Sequence, residues 1–159
     1  MVLRDRLAQA IGCINPALLA EAREDVVRRV MRTEASDLLA NNQAFHRLLS
    51  EGVDVTFRNK QGEVRTDKAW LLDFEHPERN EFIAVRQLTV IENQKNRRAD
   101  TVIYVNGLPL VLLEFKNPND VNATLENAYK QIQTYKAEIP SLFRYNAFCI
   151  IGDGIHAGA

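Results

Sequence analysis

A chain of 159 residues with 46% hydrophobic and 26% charged residues has the composition of an ordinary globular domain, which excludes intrinsic disorder and any need for disulfides or a structural metal. With 20 Lys and Arg against 21 Asp and Glu the net charge is −1, which excludes non-specific coating of nucleic acid or anionic lipid but leaves room for a local basic patch at Lys95, Arg97 and Arg98. The apolar stretch Leu108 to Leu113 is far shorter than the roughly 20 residues of a membrane span, and the charged start lacks a secretory signal, so a cytoplasmic location with no membrane partner is expected.

Asn15-Pro16 reads as the N-cap and first position of a helix carrying Leu18, Leu19, Ala22, Val26, Val27 and Val30 at helical spacing, to about Arg32. A second helix is expected from about Asp37 to Leu49, capped by Ser36, closed by Gly52 and buried along Leu38, Phe45, Leu48 and Leu49. From Val53 the pattern changes. Val53 to Phe57 alternates as a strand, Gln61-Gly62 reads as a turn, and Trp70 to Phe74 and Phe82 to Ile91 are rich in strand formers. The expected organisation is one domain with a helical extension over 1–51 and an α/β core over 52–159.

Asn106-Gly107 between two apolar runs is a hairpin signal. Successive apolar residues such as Val111, Leu112 and Leu113 predict a hairpin covered on both faces, in the centre of a sheet. Asn117-Pro118-Asn119-Asp120 then breaks the strand. A helix is expected from about Ala123 to Ala137, with Leu125, Ala128, Ile132 and Tyr135 on its apolar side and Pro140 beyond its end. A buried strand from Ala147 to Ile151 follows, ended by Gly152-Asp153-Gly154. This order predicts an α/β fold, a mixed sheet flanked by helices with an N-terminal helical extension. Cys13 and Cys149 are too few and too far apart for a disulfide framework or zinc site.

Asp100 opens one arm of the hairpin, and Glu114 and Lys116 end the other. Two carboxylates and the backbone carbonyl of Phe115 would supply hard oxygen ligands for Mg²⁺. Lys116 would orient a water or stabilise charge growing on phosphorus, which is the chemistry of phosphodiester hydrolysis. By spacing alone, the same residues also read as a strand-end charge cluster. A two-residue turn at Asn106-Gly107 would set Asp100 opposite Leu113 and turn Glu114 away. A three-residue loop, Val105-Asn106-Gly107, with Gly107 left-handed, or an equivalent bulge within the arms, is therefore expected. His46, His76 and His156 show no ligand spacing. No Gly-x-Ser-x-Gly and no phosphate-cradling Gly-x-x-x-x-Gly-Lys-Ser/Thr is present, so neither acyl transfer nor ATP binding is read from this chain.

Three blocks carry a resemblance: Asn96-Arg97-Arg98-Ala99-Asp100, Val105 through Glu114-Phe115-Lys116 to Pro118, and Gln131-Ile132-Gln133-Thr134-Tyr135-Lys136. With Phe45 to Leu49 and Glu138 to Phe143, nearly the whole chain resembles the N-terminal nuclease domain of the restriction (R) subunit of type I restriction-modification enzymes. The resemblance implies a restriction-endonuclease-like fold with the Pro-Asp, spacer, Asp/Glu-x-Lys motif, Asp100 and Glu114 as Mg²⁺ ligands and Lys116 as the catalytic lysine. Ala99 stands where that motif usually has proline. It also implies an auxiliary Gln-x-x-x-Tyr element, Gln131 and Tyr135, which share a helix face and hold a DNA phosphate or position Lys116. Arg97 and Arg98 read either as phosphate contacts or as part of a solvated loop. Glu21, Glu24 and Asp25 are candidates for a further acid, although Glu21 and Glu24 project from the polar side of their helix. The implied activity is that of a Mg²⁺-dependent type I deoxyribonuclease cutting double-stranded DNA away from its recognition site. ATP-driven translocation is implied for a motor region absent from this chain, and modification and specificity subunits are the implied partners. A catalytically silent DNA-binding or subunit-docking module is the alternative.

Overall fold

The computed structural model describes residues 1–32, 37–58, 62–116, 125–152 and 157–158. Two units are resolved by their internal contacts: Val2–Phe82 with Val105–Leu108, and Ile83–Tyr104 with Pro109–Ala159 and Met1.

The first unit begins with α1 (Arg4–Ile14), a helix the sequence reading did not anticipate, because Leu7 and Ile11 are its only buried positions. Asn15 follows and is not a helix cap. Its side-chain amide donates to the Ile11 carbonyl at 2.9 Å and the Trp70 carbonyl at 2.8 Å, and its Oδ1 accepts the Trp70 N–H at 2.8 Å. The next helix, α2 (Ala20–Met31), starts four residues after Pro16, its expected first position, with Leu19 at its N-cap, and buries Ala22, Val26, Val27 and Val30. In α3 (Leu38–Glu51) Asp37 is the cap, its carboxylate accepting the Ala40 N–H at 2.8 Å. Ser36, the expected cap, lies outside the described residues. Gly52 closes α3 at φ +75°, a conformation that favours glycine. Phe45 and Leu49 are buried as expected, whereas Leu38 and Leu48 are half-buried and Asn41 joins the stripe.

The strand β1 (Val53–Arg58) pairs antiparallel with β2 (Val64–Ala69), from Val53↔Ala69 to Arg58↔Val64. Five of the six β2 residues are exposed, so no apolar alternation marks it. Of the expected turn, Gly62 has φ +83° and Gln61 lies outside the described residues. Trp70 to Phe74 is not a strand, contrary to the expectation. The backbone of Trp70 is already bonded to Asn15 through both its N–H and its carbonyl, which leaves nothing for a ladder.

Asn106 belongs to this unit and is almost wholly buried. Its backbone N–H donates to the Glu81 carbonyl at 2.9 Å and its Oδ1 accepts the Glu81 N–H at 2.8 Å. Its Nδ2 donates to the Leu71 carbonyl at 3.0 Å and to Asn80 Oδ1 at 2.8 Å. Asn106 at φ +51° and Gly107 at φ +78° form a two-residue turn. The expected three-residue loop is thus absent, and Val105 stays in its strand, because the bonds to Asn106 fix that residue in the left-handed region.

The second sheet is β3 (Phe82–Glu92), β4 (Lys95–Val105), β5 (Leu108–Phe115), β6 (Phe148–Gly152) and β7 (Ala157–Gly158), in that spatial order. Asn93 and Gln94, at φ +49° and +62°, form the tight turn into β4. The hairpin strands β4 and β5 are interior, and the first five residues of β5 are buried. Between β5 and β6 runs α4 (Leu125–Glu138), which buries Ala128, Ile132 and Tyr135 and lies against β6. Its expected start near Ala123 and the Asn117 to Asp120 break lie outside the described residues, as do Asp153 and Gly154. Because a helix intervenes, β6 pairs parallel to β5, from Val111↔Phe148 to Phe115↔Gly152. β7 is antiparallel to β6, so the sheet is mixed. β6 is less buried than its apolar text suggests, with Phe148 half exposed. No helix among the described residues is long and apolar enough to cross a membrane.

Candidate active site

The end of β5 is fixed by its parallel neighbour. Phe115 pairs with Gly152, and the Lys116 N–H donates to the Gly152 carbonyl at 2.8 Å, carrying the ladder one residue past the strand. From β4 the Asp100 carboxylate reaches across, its Oδ2 accepting the Phe115 N–H at 2.8 Å. The two-residue turn does not part the carboxylates, since this hydrogen bond seats Asp100 on the backbone between Glu114 and Lys116.

Glu114 is 1% exposed. Its Oε1 accepts a hydrogen bond from Gln131 Nε2, and Lys116 Nζ stands 3.9 Å away. Its Oε2 is buried with no hydrogen-bond partner among the described residues. Burial, with the charge of Asp100 adding to it, pushes the Glu114 carboxyl from its usual 4.5 up to about 7, against the pull of Lys116, the Asp100 backbone N–H and Gln131. Gln131 is the centre of the network. Its Oε1 accepts from Lys116 Nζ, and its Nε2 donates both to Glu114 and to the Tyr135 hydroxyl, the latter at 2.5 Å. The Tyr135 hydroxyl in turn donates to the Arg98 carbonyl at 2.9 Å, and burial raises its pKa. Five of the residues singled out in the sequence, Asp100, Glu114, Lys116, Gln131 and Tyr135, thus stand in one bonded group.

This group fits a hard divalent cation. A buried carboxylate oxygen without a partner carries a desolvation penalty that a cation offsets, and oxygen is the ligand such cations prefer. Glu114, Asp100 and the Phe115 carbonyl are the residues that would hold it. No group of three or more His, Cys, Asp or Glu side chains suited to a metal is found among the described residues.

Arg98 has an exposed side chain with no ion pair among the described residues. Arg97, by contrast, donates from Nε to Glu138, and Lys95 Nζ lies 3.8 Å from the same carboxylate. Glu138 was missed in the sequence, although its place is legible there: Gln131, Tyr135 and Glu138 lie at i, i+4 and i+7 on one helix face. Ala99, in the motif's proline position, is fully buried. In the first unit Glu24 pairs with Arg4, and Asp25 with Arg28 and Arg29.

The sequence matches the family model described as type I restriction enzyme R protein N terminus over residues 1–157. It is 40% identical over 158 residues to the type I restriction enzyme HindI endonuclease subunit of Haemophilus influenzae, an overlap of 99% of this chain and 15% of that protein. Identity to a Methanocaldococcus jannaschii protein, provisionally named as the type I restriction enzyme MjaIXP endonuclease subunit, is 33% over 157 residues, or 97% of this chain and 15% of that one. To the type I restriction enzyme SsaAORF53P endonuclease subunit of Staphylococcus saprophyticus it is 38% over 86 residues, or 53% and 9% of the two chains. The chain spans about 15% of the length of the first two relatives.

Proposed function

We infer, from a chain that belongs to the type I restriction enzyme R protein N-terminal family, that the bonded group around Glu114 is a Mg²⁺-dependent nuclease centre acting on double-stranded DNA. The observation that carries this reading is the buried Oε2 of Glu114, which has no partner among the described residues and lies beside Asp100, within a network that also holds a lysine. A docking surface gives no reason to bury a carboxylate at that expense.

When bound, Mg²⁺ supplies a Lewis acid for a phosphate oxygen and lowers the pKa of water. The chain's own residues do the rest. Glu114 and Asp100, with the Phe115 carbonyl, bind the cation. Gln131 holds the Lys116 ammonium beside Glu114, using one of its three N–H donors and leaving the others for a phosphate oxygen or an attacking water. Tyr135, bonded between the Gln131 amide and the Arg98 carbonyl, keeps Gln131 from rotating away. Arg98 adds a phosphate contact that positions the duplex and reads no bases. In this reading the protein works in the cytoplasm, translocation and ATP use belong to a motor outside this chain, and modification and specificity subunits choose the DNA.

Lys116→Ala tests the assignment. Removing one charge-stabilising donor is expected to slow Mg²⁺-dependent plasmid cleavage by about 10²- to 10³-fold. Divalent-ion affinity should persist, because the carboxylates remain. Cleavage at the wild-type rate in this variant would remove Lys116 from the chemistry.

A further inference from the structure

Glu138 is the last residue of α4. A carboxylate there faces the negative end of the helix dipole and is unfavourable by itself. Its place is explained by two cations on β4: Arg97 Nε donates to its Oε2, and Lys95 Nζ lies 3.8 Å from its Oε1. The Glu138 side chain is only 20% exposed, so this pair is less screened than an ordinary surface one. The face of α4 therefore meets the sheet at three successive points. Gln131 bonds Glu114 and Lys116, Tyr135 bonds the Arg98 carbonyl, and Glu138 bonds Arg97 and Lys95.

We propose that Glu138 is a positioning residue for Lys116: it clamps the last turn of α4 to the start of β4 and, through Tyr135 and Gln131, fixes where the Lys116 ammonium stands. Its consequence for catalysis rests on the nuclease reading, while its structural part is measurable without any cleavage. The order along the helix is what gives the clamp its reach. Tyr135 is one turn from Glu138 and Gln131 one turn further, and each is bonded to the sheet. Loosening the last turn thus frees the Tyr135 hydroxyl from the Arg98 carbonyl first, and the Gln131 amide next.

The test is the hydrogen exchange of the Gln131 side-chain amide, followed by NMR on the ¹⁵N-labelled chain. Both Nε2 protons are donated in the wild type, to Glu114 and to Tyr135, so their exchange is slowed. In Glu138→Gln we expect exchange to rise about threefold, the scale of one part-exposed ion pair. Where the nuclease reading holds, kcat falls by about the same factor at unchanged KM. Arg97→Gln, which breaks the pair from the strand side, should reproduce the rise, and the swapped pair Arg97→Glu with Glu138→Arg should reverse it. A Gln131 amide that exchanges at the wild-type rate in folded Glu138→Gln and Arg97→Gln would overturn the proposal. So would an unchanged amide together with tighter DNA binding and a steeper salt dependence, since Glu138 would then be masking two phosphate contacts rather than positioning Lys116. A faster amide in a chain that cleaves no DNA would uphold the clamp and count against the nuclease reading alone.

Discussion

Glu114→Gln is expected to stabilise the metal-free chain by about 2 kcal/mol at pH 8 and, in the same protein, to abolish divalent-ion binding. Both effects come from one buried oxygen pair. The Glu114 carboxyl is raised from 4.5 to about 7 by burial and by Asp100, so the folded state holds its proton more tightly than the unfolded chain does. Below about pH 4.5 both states are protonated and nothing is lost. As the pH rises from there to about 7, the unfolded chain releases its proton first and stability falls. Above about 7 the penalty is complete, on the order of 3 kcal/mol. A glutamine is neutral throughout and escapes this penalty, less what its amide loses in imperfect bonding. The measurement is urea unfolding of both proteins at pH 5 and pH 8. Their difference isolates Glu114, because Glu138, held low by Arg97, and Asp25, held low by Arg28, change stability at lower pH and in both proteins alike. A gap between the two proteins that does not widen from pH 5 to pH 8 would mean that Glu114 is not a strained acid.

Gly107→Ala is expected to cost about 3 kcal/mol or more in stability. A methyl group at this position would lie 2.5 Å from the Leu3 carbonyl oxygen and 2.9 Å from the Leu7 nitrogen. Both are backbone atoms, and the Leu3 N–H is itself bonded to the Gly107 carbonyl at 2.9 Å, so neither can withdraw without breaking the first turn of α1. The left-handed φ of +78° adds roughly 1–2 kcal/mol for any residue with a Cβ. Gly62→Ala is the control, since Gly62 has a similar φ of +83° and no atom of the described residues within 4 Å of the added carbon. If the two substitutions lower the urea midpoint equally, the close approach of Leu3 and Leu7 to Gly107 is wrong.

The same turn shows what could and could not be read in the sequence. Its location was legible, because Asn-Gly between apolar runs requires two left-handed residues. Its loop length was not, because that is decided by bonds from Asn106 to Leu71, Asn80 and Glu81, residues 25 to 35 positions away. Asn15 was misread for a similar reason. Its type and its neighbour Pro16 suit a helix cap, but its amide is taken by Trp70, 55 residues on. That one pairing also accounts for the missing strand at Trp70 to Phe74. The helix α1 and the strand β2 escaped notice because each buries too few apolar side chains to print a period. The carboxylates and Lys116 stood out because charged residues at the end of an apolar hairpin need a reason, and Gln131 and Tyr135 followed from helix spacing and family resemblance. What held these residues together could not be read. The Asp100 bond to the Phe115 N–H and the double role of the Gln131 amide depend on side-chain reach, which neither period nor parity encodes.

Asp100 and Glu114 are expected to hold a divalent cation, and calorimetric titration of Mn²⁺, standing in for Mg²⁺, tests this most directly. The titration is run on the wild-type chain and on Asp100→Ala, each with a short DNA duplex present. Saturable binding by the wild type that vanishes in Asp100→Ala is the predicted result. Equal, weak heats from the two proteins would contradict it.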